Sequence, residues 1–246
     1  LMVSIQGEEK TMQQAGALLE STDRKEREEV YQTMVQKRLT IKNELNDLYT
    51  SLIEKRHQVA LNAGFENYRD YAFASLGRFD YGPAECFEFH EAVAETVVPL
   101  LNEAAAKRKQ EMGLDSLKPF DKSVDPLGRG PLKPFETGEE LLNKTIGVFD
   151  EMDPFLGNCL REMVTLNRFD LDSRKGKNPG GYNYPLEETG YPFIFMNAAG
   201  TVRDVVTLLH EGGHAVHSIL TKDLALNSFR NFPSEVAELA SMSMEL

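Results

Sequence analysis

His210-Glu211-Gly212-Gly213-His214 is the run of this sequence whose residue types and spacing add up to chemistry. Two histidines four apart on a helix project from one face, close enough for both imidazoles to reach a single Zn²⁺. At 100° per residue Glu211 lies about 60° round the helix from His214, where it can address a water at the metal without ligating the metal itself. That combination is metal-assisted hydrolysis with Glu211 as the general base. A hydrolytic zinc takes a third protein ligand and keeps a fourth position for water. His217 is on nearly the same face but about 10 Å further along the axis, which favours an outer or packing role. The other candidates, Glu235, Glu238 and Glu245, follow Pro233-Ser234 at the start of a second helix. Glu238, Ser241, Met242 and Glu245 share a face there, and spacing does not choose among the carboxylates.

The motif acts only if a helix carries it. Thr201 and Asp204 form a capping box, and Val205, Val206, Leu208, Leu209, Val216, Ile219 and Leu220 supply an apolar stripe through the motif. Gly212 and Gly213 are an anomaly, because each costs about 1 kcal/mol relative to Ala inside a helix. The expectation is a close approach at that point, by the preceding strand or by a ligand beside it. That strand is read over residues 191–197, rich in β-forming residues and bounded by Gly190 and Gly200, with Pro192 pointing to an edge position. Gly180-Gly181 and Tyr182-Asn183-Tyr184 precede it, and Tyr182, Tyr184 and Tyr191 read as packing aromatics, any of which could also line the cleft.

Upstream, apolar residues spaced three to seven apart predict one long amphipathic helix over residues 21–64, capped by Ser21 or Thr22 and closed by Gly64. Shorter helices follow over residues 66–76 and 84–110, the latter kinked or split at Pro99. Residues 113–136 alternate Pro with Gly and read as an ordered connection. Thr137 with Glu140, and Asp153 with Pro154, start two more helices. The fold class expected is mainly α with a small β-sheet. Its parts are a helical region over 1–112, the connection over 113–136, and a catalytic part over 137–246 with short strands, the zinc-binding helix and the third-ligand helix.

A chain of 246 residues with a net charge of −12 offers no basic stripe to track a phosphate backbone, so nucleic acid is not an expected partner. No apolar run reaches the roughly 18 residues of a membrane span, and the first residues have no basic segment followed by an apolar one. Two cysteines, Cys86 and Cys159, are too few for a disulfide framework and fit a reducing compartment. A cytoplasmic setting is the expectation.

The run 207–218 around the histidine motif, followed by 233–246, closely resembles the oligoendopeptidase F branch of the thimet oligopeptidase family of zinc metallopeptidases. The resemblance extends upstream through Gly180-Gly181-Tyr182, the segment from Pro192 to Asn197 and the segment from Leu117 to Asp121. It implies a zincin-like helical catalytic domain with a deep channel and one Zn²⁺ per chain, held by His210, His214 and Glu238. It also implies that the strand over 193–198 pairs with the substrate backbone, placing Phe193, Phe195, Asn197 and Ala198 against the peptide. The family uses Tyr and His side chains beyond the third-ligand helix to stabilise the oxyanion. This chain stops before them and its N-terminal lobe is short, so a piece of a longer polypeptide is expected. The implied function is a zinc-dependent endopeptidase that hydrolyses short peptides with Glu211 as general base. The alternatives are a zinc carboxypeptidase of similar architecture, distinguished by end-group analysis, and a catalytically idle peptide-binding module in which zinc only staples two helices.

Overall fold

In a computed structural model that describes residues 1–246, the chain forms ten α-helices and five short strands. This is the mainly α protein with a small sheet that the periodicity requires. Two compact units result, one of Thr22–Arg129 and the other of Leu1–Ser21 with Gly130–Leu246. No helix is long and apolar enough to cross a membrane.

The first residues form a hairpin, β1 (Met2–Ile5) with β2 (Glu8–Thr11), followed by α1 (Met12–Ala17). Its turn puts Gln6 and Gly7 at φ 53° and 83°, the left-handed pair that matches the twist of antiparallel strands. Thr11 caps α1 by accepting from the Gln14 N–H at 3.1 Å, and its hydroxyl shares a 2.9 Å hydrogen bond with Ser173.

Residues 21–64 form two helices where the apolar spacing predicts one: α2 (Arg24–Leu39) and α3 (Lys42–Asn62). The break falls where the Thr40 hydroxyl donates to the Lys37 carbonyl at 2.7 Å, a side-chain bond that competes with helix continuation. Asp23, and not Ser21 or Thr22, caps α2 by accepting from Lys25 N–H at 2.9 Å. Then come α4 (Tyr68–Ser75), α5 (Pro83–Ala92) and α6 (Val98–Glu111). Between the last two a π-helical turn, Val93–Val97, adds a residue to the helix and absorbs Pro99. The Pro/Gly segment is ordered around Asp121, which is fully buried. Arg24 forks onto its carboxylate with two 3.0 Å bonds, Arg27 adds a third at 3.1 Å, and Arg108 donates to its carbonyl at 2.9 Å.

In the other unit, Thr137 and Asp153 cap α7 (Gly138–Met152) and α8 (Pro154–Thr165) as their spacing predicts. Three strands follow, β3 (Phe169–Asp172), β4 (Tyr182–Tyr184) and β5 (Phe193–Ala198), in the order β3-β5-β4. β5 is parallel to β3 and antiparallel to β4. The strand expected at an edge is therefore the central one. Pro192 precedes its first residue, where a missing N–H removes no ladder bond, and its Ile194 and Met196 are almost wholly buried. These residues join Phe149, Leu160, Met163, Leu208 and Ala215 in one apolar core that seats the last two helices, α9 (Val202–Thr221) and α10 (Ser234–Met242).

A charge clamp holds the start of the loop between β3 and β4. Arg174 forks onto Asp170 at 2.6 and 2.7 Å, and the buried Lys177 ammonium bonds the same carboxylate at 2.9 Å while lying 4.4 Å from the centre of the Phe195 ring. The Arg174 bonds, and after them Lys177, outweigh burial and hold the Asp170 carboxyl down to about 2. A depressed carboxylate contributes stability that is complete above its unfolded value and is lost as pH falls through its folded one. The clamp should therefore weaken between about pH 4 and pH 2, losing on the order of 2 kcal/mol. Urea midpoints of the wild type and Asp170→Asn should differ at pH 6 and converge near pH 2. A gap unchanged by acid would show that the carboxylate's charge is not what stabilises the loop.

Candidate metal centre

Helix α9 starts where the capping box predicts. Thr201 Oγ1 accepts from Asp204 N–H at 3.3 Å, and the Asp204 carboxylate accepts from the N–H groups of Thr201 at 2.8 Å and Ala199 at 2.9 Å. From that fixed start, His210 and His214 point the same way, their ring centres 4.8 Å apart at an interplanar angle of 90°. Helix α10 brings Glu238 to them. Its Oε2 lies 3.4 Å from His210 Nε2 and 3.8 Å from His214 Nε2, and the three donor atoms all lie within 4.8 Å of one another. Ligand atoms about 2.0–2.2 Å from a tetrahedral zinc are about 3.3–3.6 Å apart. The two carboxylate–imidazole separations match that spacing, and the widest of the three, up to 4.8 Å, would have to close by about 1 Å.

The glycine pair explains why α10 comes so near. A Cβ on Gly213 would lie 2.7 Å from both the Ala240 carbonyl oxygen and Ser241 Cα, and one on Gly212 would lie 3.0 Å from the Phe149 ring. The close approach is thus to the α10 backbone and to a core aromatic of α7, and not to the preceding strand or a ligand. Ser241, fully buried, donates to the Glu238 carboxylate at 3.0 Å and limits where that half-exposed side chain points.

Glu211 is only 6% exposed, although its neighbour His210 faces the cleft. Burial, reinforced by Glu238, pushes its carboxyl above the ordinary range against the opposing pull of His210 and of the Asn183 backbone N–H. A Cβ on Gly181 would come within 3.5 Å of Glu211 Oε1. Burial and the neighbouring His210 lower the affinity of His214 for a proton, a shift toward the neutral form through which imidazole binds metal.

The remaining candidates are dispersed. His217 stacks on Phe232 at 4.0 Å and takes no place in the donor cluster. Glu235 is exposed and also lies outside it. Glu245 reaches His210 from the other side, its Oε1 2.6 Å from Nδ1. Of the residues placed on the strand before the motif, Phe193 lines an apolar hollow with Tyr182, Tyr184 and Leu186. Phe195 packs flat under Tyr182, with ring centres 4.8 Å apart. Asn197 donates to the carbonyls of Asn178 at 2.9 Å and Gly180 at 2.8 Å, and Ala198 is buried. At Phe193, Ile194 and Phe195 the strand is paired with β4 on one side, and at Ile194 and Phe195 with β3 on the other. The glycine loop and β4 border the cleft, Tyr182 among them. Gly181, Tyr182 and Asn183 line it together with His210, Glu211, His214 and Glu238, and Asn183 Nδ2 is buried with no hydrogen-bond partner in the chain. Their signal was present in the Gly-Gly pair followed by a short alternating run.

Comparison with known proteins places this arrangement. The family model described as Peptidase family M3 matches residues 17–246. The Group B oligopeptidase PepB of Streptococcus agalactiae serotype III (strain NEM316) is 25% identical over 229 residues, 93% of this chain and 37% of that protein. The oligopeptidase PepF of Bacillus subtilis (strain 168) is 25% identical over 228 residues, 92% of this chain and 33% of its own length. A solved structure titled PZ peptidase A with inhibitor 2 superposes with a TM-score of 0.94 at 28% identity, covering 99% of this chain and 43% of that one. The chain therefore spans between a third and a little over two fifths of the length of these relatives. The family match takes in residues 17–246 and the superposition covers 99% of the chain, so the chain belongs to peptidase family M3.

Proposed function

We propose that this chain carries the zinc site and general base of an endopeptidase that hydrolyses short peptides. The observation that carries the reading is the convergence of His210, His214 and Glu238 within 4.8 Å of one another, beside the buried Glu211. His210 and His214 would hold the zinc through Nε2 and Glu238 through Oε2. Bound there, zinc supplies Lewis acidity toward the scissile carbonyl and toward water. The chain's own groups do the rest. Glu211, buried beside the donor cluster, takes the proton of the attacking water and hands it to the departing amine. Burial keeps that carboxylate from being solvated away from its task.

Peptide binding follows from the sheet. β4 is an outer strand, and its residues 182 and 183 line the cleft, so a substrate that adds beside it as a further strand is carried across the donor cluster. The hollow formed by Tyr182, Tyr184 and Phe193 then receives an apolar side chain, while Phe195 and Asn197 support the strand and its glycine loop from behind. Both cysteines are free thiols, in keeping with a reducing cytoplasmic setting.

The test is a quenched pool of mixed-sequence peptides incubated with the zinc-loaded chain, beside a chelator-treated sample. Cleavage at internal bonds, lost on chelation and restored by zinc, is expected. Release of single C-terminal residues would instead make it a carboxypeptidase. Stoichiometric zinc without any cleavage would mean that these residues assemble the metal site but do not by themselves complete a peptidase.

A further inference from the structure

Helix α10 and the turn after it present two carboxylates to one imidazole. Glu238 faces Nε2 of His210 at 3.4 Å, and Glu245 faces Nδ1 at 2.6 Å. The second carboxylate is held there by the chain itself. Helical turns continue past Met242 through Met244 N–H to the Ser241 carbonyl and Glu245 N–H to the Met242 carbonyl, each at 3.1 Å. Met244 packs against the apolar core, and its side chain lies 3.1 Å from where a Cβ on Gly213 would be. The same close contact of α9 with α10 that places Glu238 thus places Glu245 on the opposite nitrogen.

We propose that Glu245 is a positioning residue that fixes His210 in the tautomer needed for metal binding. A carboxylate only accepts hydrogen bonds, so a neutral His210 must carry its proton on Nδ1 and leave the Nε2 lone pair facing Glu238 and His214. An imidazole without such a partner favours the proton on Nε2, which would aim an N–H at the donor cluster. The bond also resists rotation of the ring about its χ2 torsion. Carboxylate partners of this kind raise the affinity of a metal site about 10–100-fold. The inference rests on the zinc reading of the site, yet its first consequence is visible without metal.

The experiment uses the full chain, ¹⁵N-labelled at histidine, with the ring signals of His210 assigned by their absence from His210→Gln. Metal-free samples at about pH 8.5, where ordinary imidazoles are neutral, should show the Nδ1–H tautomer in the wild type and a shift toward Nε2–H in Glu245→Ala. Glu245→Gln, whose amide oxygen still accepts, should retain the tautomer. Zinc affinity, measured by competition with a fluorescent chelator, should fall about 10–100-fold in Glu245→Ala, and less in Glu245→Gln. A tautomer and an affinity both within twofold of wild type in Glu245→Ala would overturn the assignment. If the wild type took up no zinc, the metal reading would fail, while the ring tautomers would still decide what Glu245 does to His210.

Discussion

Glu211→Gln should leave the chain folded and loaded with zinc, and should lower peptide turnover about 10²–10⁴-fold, the range general acid–base catalysis provides. The substitution keeps the side chain's shape, so its close approach to Gly181 has no reason to change. What disappears is the group that can receive a proton from water and return it to the amine. Metal content should stay at the wild-type value, because Glu211 does not belong to the donor cluster formed by His210, His214 and Glu238. The measurement is therefore a pair, kcat on a quenched peptide and zinc per chain on the same sample. Near-normal kcat would remove Glu211 from the mechanism. Loss of zinc together with activity would make it a ligand or a structural support.

Much of this site could be read from residues in order. The histidine pair needs only the periodicity of one helix, and Thr201 with Asp204 fixes where that helix starts, so local rules suffice for α9. They do not suffice for the third donor. Glu235, Glu238 and Glu245 are equivalent to any rule that knows only helix spacing, and their separation arises from the tertiary approach of α10, which Gly213 permits. The glycine pair did announce a close contact, but sequence could not tell which element would fill it. For the same reason the order of the sheet was out of reach. A Pro before an apolar strand is compatible with either an edge or a centre, and only the pairing with β3 on one side and β4 on the other decides for the centre. In the helical unit, the apolar stripe runs past Thr40 without a break, whereas the backbone ends one helix at Leu39 and starts the next at Lys42, an interruption that periodicity does not register.

The choice among the three carboxylates yields the second large effect, an ordering of zinc affinities. Glu238→Ala removes one of three donors, and its loss should exceed the roughly 100-fold that marks the upper limit for an outer partner. Glu245→Ala should fall below that limit, and Glu235→Ala should match the wild type. The ordering follows from where each carboxylate lies: at Nε2 of both histidines, at Nδ1 of one, and outside the cluster. Zinc retained per chain after dialysis against graded chelator reads all three on one scale. Because Glu238 is half exposed and its backbone lies in a continuous helix, its removal should leave the urea midpoint of the metal-free chain nearly unchanged, so a loss of zinc there cannot be ascribed to unfolding. Should Glu235→Ala lose the metal while Glu238→Ala keeps it, α10 would have to turn by about 60° and slide by about 4.5 Å along its axis, and the close contact at Gly213 that fixes its present face would have to be wrong as well.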